Sequence, residues 1–219
     1  RMLGGTMSRG WEDRQERTRA EVLAAVGEII SSDGLEGLTM RKLAERAGVA
    51  VATLYNQFGD RNGVLVAFAG HGLDQLEGEL DEQPASDPID GTRVLFEALD
   101  ATFEGEEPIW RPVLATLRTQ PGVHGMGAVG DRIVASVEAD LAKAQAAGML
   151  VAVCDVERLA RHVFITRMRA LERWAHGVID WSTYRASASL SLELAVAAVL
   201  CEPHRTDALR RVGMIADSD

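Results

Sequence analysis

The chain of 219 residues has few cysteines, prolines and aromatic residues. Its two cysteines, Cys154 and Cys201, cannot build a disulfide framework, and neither has the neighbouring Cys or His of a zinc site. We therefore expect a reducing compartment, the cytoplasm. Residues 1–8 contain no apolar stretch of signal-peptide length, so secretion is not expected. No apolar run reaches the roughly 20 residues of a membrane span, so no membrane partner is expected.

The composition is that of an ordinary folded protein, with 47% hydrophobic and 26% charged residues. The net charge of -10 is unfavourable for binding a polyanion, because nucleic-acid affinity comes largely from Lys and Arg. However, residues 1–68 hold 9 basic and 9 acidic side chains, whereas residues 69–219 hold 14 and 24. Salt screens charges beyond about 10 Å, so a neutral N-terminal part can meet DNA despite the acidic remainder.

Apolar spacing in the first part of the chain predicts four helices, at about 14–32, 39–46, 50–58 and 61–80. The first has one apolar face, made by Val22, Leu23, Val26, Ile29 and Ile30. Thr39 is typical of an N-cap, and Gly48 suits a tight turn between the two short helices. The two short helices and the turn between them are thus compatible with a helix-turn-helix.

The second part of the chain also has helical spacing, at about 92–103, 110–119, 126–147, 156–175 and 183–201. The polar, proline-containing stretch 81–90 is predicted to be a linker or loop, and Pro108 is predicted to separate two helices. The alternating run 190–194 lies in a segment of helical length, so we interpret it as helix. The sequence therefore predicts an all-α fold.

The segment GLTMRKLAERAGVAVATLYNQFGDRNGVLVAF, residues 37–68, resembles the N-terminal DNA-binding domain of the TetR family of transcriptional repressors. The resemblance lies in a threonine-capped helix, then A-G-V, then T-L-Y, and a phenylalanine three residues after the tyrosine. It implies a three-helix helix-turn-helix DNA-binding domain at 9–68. A helical regulatory domain for ligand binding and dimerisation would follow at 69–205.

The resemblance also implies which residues meet DNA, because in this family the second short helix reads bases. Thr53, Asn56 and Gln57 would lie on the recognition face, Tyr55 and Arg61 would meet phosphates, and Val51 could supply only an apolar contact. Arg41 would reach a base or a phosphate. Asn and Gln can bond adenine, Arg guanine, and a Tyr hydroxyl can donate to a phosphate oxygen. Arginines of the first helix could also follow the backbone, although a solvated face explains them equally well.

Large apolar residues of the middle helices are candidates for a small-molecule pocket, and the molecule they would take is mostly apolar. The ligand-binding candidates are Phe103, Trp110, Leu114, Leu117, Arg118, Met126, Phe164 and Met168. The alternative is that most of the apolar ones are simply core. His162 and Arg167 are further possible polar anchors.

The last predicted helix is apolar nearly all round, so it must be covered on every side. A homodimer formed through the last two long helices would cover it. Two recognition helices about 34 to 36 Å apart would also suit half-sites on one face of a duplex.

The sequence thus predicts a ligand-responsive transcriptional regulator, a repressor released from operator DNA by a small molecule. The alternative is a helical adaptor that has kept the fold and lost operator binding, because Met40 and Val51 depart from the family pattern. No nucleophile elbow, phosphate loop, carboxylate pair or metal-ligand spacing is present, so an enzyme is not expected and neither is a cofactor.

Overall fold

A computed structural model of the chain describes the backbone of residues 5–81, 85, 87–119 and 124–216, and the side chains of 14–80, 85, 87–117 and 127–216. Ten helices are described: α1 Gly5–Asp33, α2 Met40–Ala47, α3 Val51–Phe58, α4 Arg61–Asp81, α5 Pro88–Gly105, α6 Glu107–Thr119, α7 His124–Ala146, α8 Val156–Ala175, α9 Trp181–Ala197 and α10 His204–Ala216. Over these residues there is no strand, only an isolated bridge between Leu150 and Leu200. The prediction of an all-α fold is confirmed.

The chain divides into two compact units, Arg1–Gly72 and Leu73–Asp219. We call them unit 1 and unit 2. In unit 1, α1 packs against α2 and the single 3-10 turn Leu35–Gly37. All five apolar residues predicted to form one face of α1 are buried. The helix begins nine residues before the predicted start, because the prediction followed apolar spacing and the polar stretch ahead of Val22 has none.

Three helix ends show how they are set, and two of them, at Thr39 and Gly48, confirm predictions from the sequence. The Thr39 hydroxyl accepts a hydrogen bond from the Lys42 amide at 3.2 Å and caps α2. Gly48 ends α2 with φ 66° and ψ 27°, the left-handed region in which a Cβ would be costly. Asp155 caps α8 by accepting from the Arg158 amide at 3.1 Å. Local chemistry therefore sets these boundaries.

Unit 2 is built from α5 to α10 and the end of α4. Within it α7 packs on α5 and α8, α9 packs on α8 and α10, and α6 packs on α5 and α8. α10 was not predicted, although Ala208, Val212 and Ile215 have the spacing of one helix face; Ala208 is its one buried residue. The last predicted helix, 183–201, ends instead at Ala197. α10 then packs on α9 and covers part of its surface.

Three prolines, Pro88, Pro108 and Pro112, lie inside helices rather than between them. Pro108 lies in the first turn of α6, where a residue without an N–H loses no helical hydrogen bond, and the predicted break between two helices occurs just before it, at Glu106. Pro88 opens α5 after Asp87, whose side chain accepts from the Ile89 and Asp90 amides at 2.9 Å. The last residues of the predicted linker are therefore helical.

A charged cluster lies in the core of unit 2. Asp100 on α5 accepts hydrogen bonds through one oxygen from Arg167 on α8 and, at 2.7 Å, from the Tyr184 hydroxyl on α9. Arg167 also donates to the Phe96 carbonyl at 3.1 Å and lies 4.4 Å from the centre of the Phe96 ring. Burial raises the pKa of the Tyr184 hydroxyl far above its ordinary value, so the hydroxyl stays protonated and donates. The cluster joins three helices.

Removing one hydroxyl should test the importance of this cluster. We expect Tyr184→Phe to lower the free energy of unfolding by about 1–3 kcal/mol, because a buried carboxylate loses a donor that water cannot replace. Tyr55→Phe is the matched control, since Tyr55 is exposed and the chain has just two tyrosines. Its effect should stay within about 0.5 kcal/mol. Denaturant unfolding at one protein concentration measures both, and equal effects would contradict the proposed importance of the cluster.

Candidate nucleic-acid interface

The second helix of the α2–α3 pair is held by two side chains. Leu54 is completely buried and Phe58 is buried, so one side of α3 faces the core of unit 1. The turn before it is closed by the Val49 amide, which donates to the Ala44 carbonyl at 3.0 Å. The Arg19 guanidinium of α1 lies 5.1 Å from the centre of the Phe58 ring. Core packing and this cation–π contact therefore orient α3.

The opposite side of α3 faces away from the core. Val51, Ala52, Tyr55 and Asn56 are exposed, with 51% of Tyr55 accessible. Thr53 is half-buried on the flank of this surface. We call the exposed set the outward face of α3. It presents an amide, a phenol and small apolar groups on a surface one helix wide, the kind of surface that fits a major groove.

Gln57 differs from its neighbour Asn56. It is half-buried, and its side-chain carbonyl oxygen is enclosed without a hydrogen-bond partner in the described part of the chain. Its base contact stays a prediction, and it requires the amide to turn outward.

Arg61 is engaged inside unit 1. Its Nε donates to the Leu38 carbonyl at 2.8 Å, and one terminal nitrogen donates to the Leu35 carbonyl at 2.5 Å. These bonds tie the start of α4 to the segment that precedes α2. This structural role could not be predicted from the sequence, because the bonded residues lie 23 and 26 positions apart. A phosphate contact by the remaining nitrogen stays a prediction.

Arg41 is the uncommitted cation of α2. Lys42 pairs with Asp33 at 2.9 Å and Arg46 pairs with Glu28 at 3.1 Å, so both are already partly neutralised. Arg41 is exposed, and among the described residues it has no ion pair. Its full charge is thus available to a phosphate or to a guanine edge.

The comparisons with known proteins agree with this geometry. Residues 22–68 match the family model of bacterial regulatory proteins, tetR family. The HTH-type transcriptional repressor KstR of Mycolicibacterium smegmatis is 28% identical over 192 residues, covering 85% of this chain and 88% of that protein. The repressor of the same name from Mycobacterium tuberculosis is 27% identical over 195 residues, covering 85% and 82%. The chain is thus similar to TetR-family repressors, over residues 22–68 in the family model and over most of its length in these two relatives.

Solved structures of TetR-family proteins share the fold. The Thermus thermophilus FadR repressor, in complex with lauroyl-CoA, has a TM-score of 0.67 at 20% identity, over 84% of this chain and 96% of that one. A TetR transcription regulator from Haloarcula marismortui has a TM-score of 0.66 at 18% identity, over 85% and 100%. The fold of a TetR regulator therefore extends beyond the helix-turn-helix.

The predicted ligand-binding residues lie on α5, α6, α7 and α8 of unit 2. Phe103 and Trp110 are buried with ring centres 5.6 Å apart, and Leu114 and Leu117 are also buried on α6. Phe164 and Met168 are half-buried on α8. The side chains of Arg118 and Met126 lie outside the described residues. The first four belong to the core, and a pocket made by all eight stays a prediction.

None of the described helices combines the length and the apolar content needed to cross a lipid bilayer.

The junction of α3 and α4 offers a test of how this TetR-family head is held. A Cβ on Gly63 would overlap the Phe58 carbonyl oxygen, whereas a Cβ on Gly78, farther along α4, would meet open space. We therefore expect Gly63→Ala to lower the free energy of unfolding by about 3 kcal/mol through overpacking. Gly78→Ala should raise it by about 0.5–1 kcal/mol, the usual gain in a helix interior. Circular dichroism during denaturant unfolding measures both, and similar values would show that the close approach is unimportant.

Proposed function

We propose that the chain is a repressor that binds operator DNA as a homodimer and leaves it when a small molecule binds. The observation that carries this proposal is the outward face of α3, exposed on a helix whose other side is locked into the core of unit 1. A purely structural helix pair would have no need to expose a tyrosine and an asparagine together. The names of the KstR relatives, both repressors, support the direction of regulation.

Each side chain of the outward face has a suitable chemical partner on DNA. Asn56 can bond the N6 and N7 atoms of adenine, and the Tyr55 hydroxyl can donate to a phosphate. Val51 and Ala52 can contact a thymine methyl, and Thr53 on the flank offers a methyl and a hydroxyl. We infer that Asn56 specifies sequence and that Tyr55 and Arg41 position the helix.

Unit 1 is electrically balanced, so few phosphates are neutralised on binding. Of its basic residues, Lys42, Arg46 and Arg61 are engaged within the unit, and Arg19 lies over the Phe58 ring. Because few cations are free to neutralise phosphates, the affinity of unit 1 for non-specific DNA is weak. Operator recognition then depends on base contacts and on two heads acting together.

Homodimerisation is proposed through α8 and α9. Both helices leave apolar side chains exposed, Ile165 on α8 and Leu194 on α9. A twofold axis would pair these surfaces and bring two copies of α3 to half-sites about 34 to 36 Å apart. α10 covers part of the surface of α9, and the surface that stays exposed is the one proposed to contact the partner subunit.

Release from DNA is proposed to follow from linkage. A mostly apolar molecule bound among α5 to α8 would favour the arrangement of unit 2 that does not suit the operator. α4 has residues in both units, so it is the segment through which such a change would reach α3. We place the protein in the cytoplasm, where the DNA and the effector meet, and we assign it no catalytic step.

A pair of arginine variants tests operator binding. We expect Arg41→Ala to lower affinity for DNA flanking the gene by about tenfold and to reduce the salt dependence by about one phosphate contact, if it meets the backbone. Arg46→Ala removes a cation from the same helix, but that cation is paired with Glu28, so its affinity should stay close to that of the wild type. Gel shifts at several salt concentrations measure both.

Asn56→Ala extends the test to base recognition. The loss of affinity should be large on the native operator sequence and small on a scrambled sequence, because only the specific complex contains the adenine contact. If the native protein shifts no flanking fragment even at low salt, the alternative of a helical adaptor without operator binding is favoured instead. Equal loss on both sequences would overturn the role of Asn56.

The dimer interface has its own test. Leu194→Asp places a charge on the proposed contact surface of α9, and we expect it to yield a monomer, because an unpaired charge at an interface core is costly. Val153→Asp is the control, since Val153 is exposed in the loop between α7 and α8. Light scattering after gel filtration gives the mass of each. A dimeric Leu194→Asp would place the interface elsewhere.

A further inference from the structure

Unit 2 contains a cleft that is lined by none of the six ligand-binding candidates whose side chains the structure describes, although Arg167, a further possible polar anchor, lines it. It lies among α5, α8, α9 and α10 and has a volume of about 300 Å³, the lower end of the range for small-molecule sites. α10 supplies Arg211, Met214 and Ile215, so one wall belongs to the helix that the sequence did not reveal. We call it the α10 cleft.

The charged cluster of Asp100 and Arg167 lies on one wall of the α10 cleft, and its hydrogen bonding is incomplete. Both bonds to Asp100 end on Oδ1, and both bonds from Arg167 start from one terminal nitrogen. Within the described residues Asp100 Oδ2 and the Nε and Nη1 of Arg167 have no hydrogen-bond partner. Both residues line the cleft, so these are the atoms of the pair that remain for a ligand. An acceptor and donors thus lie side by side at the surface of the cleft.

A second ion pair that lines the cleft, Arg93 with Glu193, has its hydrogen bonding complete. Arg93 donates through two nitrogens to both oxygens of Glu193, at 2.7 and 2.9 Å, and through the third to Asp90 at 2.7 Å. Every polar atom of that pair is occupied, so it can give a ligand little. Unused hydrogen-bonding atoms are therefore a feature of the Asp100–Arg167 pair and not of the Arg93–Glu193 pair.

The charges of the lining residues balance. Three are cationic and three are anionic: Arg93, Arg167, Arg211, Glu97, Asp100 and Glu193. A ligand with a net charge would leave one sign in excess in a partly dry site, which is unfavourable. A ligand with one positive and one negative group leaves no excess charge in the site. Phe96, Leu192 and Met214 supply an apolar surface beside these charges.

We propose that the α10 cleft binds an α-amino acid with an apolar side chain. Its ammonium group donates to Asp100 Oδ2, and its carboxylate accepts from the free nitrogens of Arg167. The two groups of an amino acid are neighbours on one carbon, which matches the adjacent acceptor and donors. The side chain lies on Phe96 and Leu192. This site is separate from the pocket of the proposed effector, and the proposal does not depend on operator binding.

Calorimetric titration of the full chain tests the ligand class with L-leucine, L-phenylalanine and L-methionine as probes. We expect at least one to bind with a Kd below about 1 mM. N-acetyl-L-leucine lacks the ammonium group and L-leucinamide lacks the carboxylate, so each should bind at least about tenfold more weakly than L-leucine. No heat from any of the three amino acids up to about 10 mM, or binding of both derivatives as tight as that of L-leucine, would overturn the proposal.

Two matched pairs of variants on α10 test the location. Met214→Trp should fill the cleft and weaken binding at least about tenfold, whereas Leu209→Trp enlarges a similarly exposed residue that does not line it. Arg211→Gln should weaken binding several-fold, whereas Arg210→Gln, next to it and paired with Asp207, should not. Circular dichroism checks that each variant is folded. Wild-type binding by both Met214→Trp and Arg211→Gln would exclude this cleft.

Gel shifts of the same variants without amino acid separate this proposal from the proposed function. All four should bind operator DNA as the wild type does, because none alters unit 1. Loss of amino-acid binding with retained DNA binding supports the cleft as a site of its own. If the chain binds an amino acid but shifts no DNA, the proposed cleft is supported and only the proposed repressor function is refuted.

Discussion

The outward face of α3 depends on two side chains on its other side, Leu54 and Phe58. A helix of eight residues is too short to be stable alone in water, and α3 has no side-chain hydrogen bond at its N-cap. Its stability and direction therefore come from the core of unit 1. Tyr55 and Asn56 can therefore be suited to DNA contacts, because the packing that holds the helix is made by Leu54 and Phe58.

The charge distribution also differs between the two parts of the chain. Excess acidity belongs to residues 69–219, while residues 1–68 are neutral. An acidic body and a neutral head bind random DNA weakly, because few counterions are released. Discrimination between an operator and other sequences then relies on base contacts and on two heads reading together. A weak non-specific background is useful to a regulator that must find one site among many.

What could be predicted from the sequence is what local chemistry decides. The buried face of α1, the Thr39 cap and the Gly48 turn each depend on residues within a few positions, and the structure confirms them. The outward face of α3 could be predicted for the same reason, because it is the complement of Leu54 and Phe58. Knowing which residues could meet DNA required the family resemblance as well.

What could not be predicted depends on residues far apart in the chain. Arg93 and Glu193 are separated by 100 positions and Asp100 and Arg167 by 67, and no spacing rule connects them. α10 packs on α9, and this contact could not be predicted from the residues of α10 alone. The α10 cleft exists because these distant parts meet, and of the ligand-binding candidates from the sequence whose side chains are described, Arg167 alone lines it.

The two ion pairs of α5 have a geometric consequence for regulation. Arg93 and Asp100 are seven residues apart, two turns of a helix, so they lie on one face of α5. That face is bonded to Glu193 on α9 and to Arg167 on α8. Breaking one partner from a buried pair is costly, so α5 cannot slide gradually along α8 and α9. Each pair is either kept or exchanged for another set of contacts. Ligand-controlled release from DNA requires such discrete arrangements, because a small molecule can only shift the populations of states that differ in their contacts.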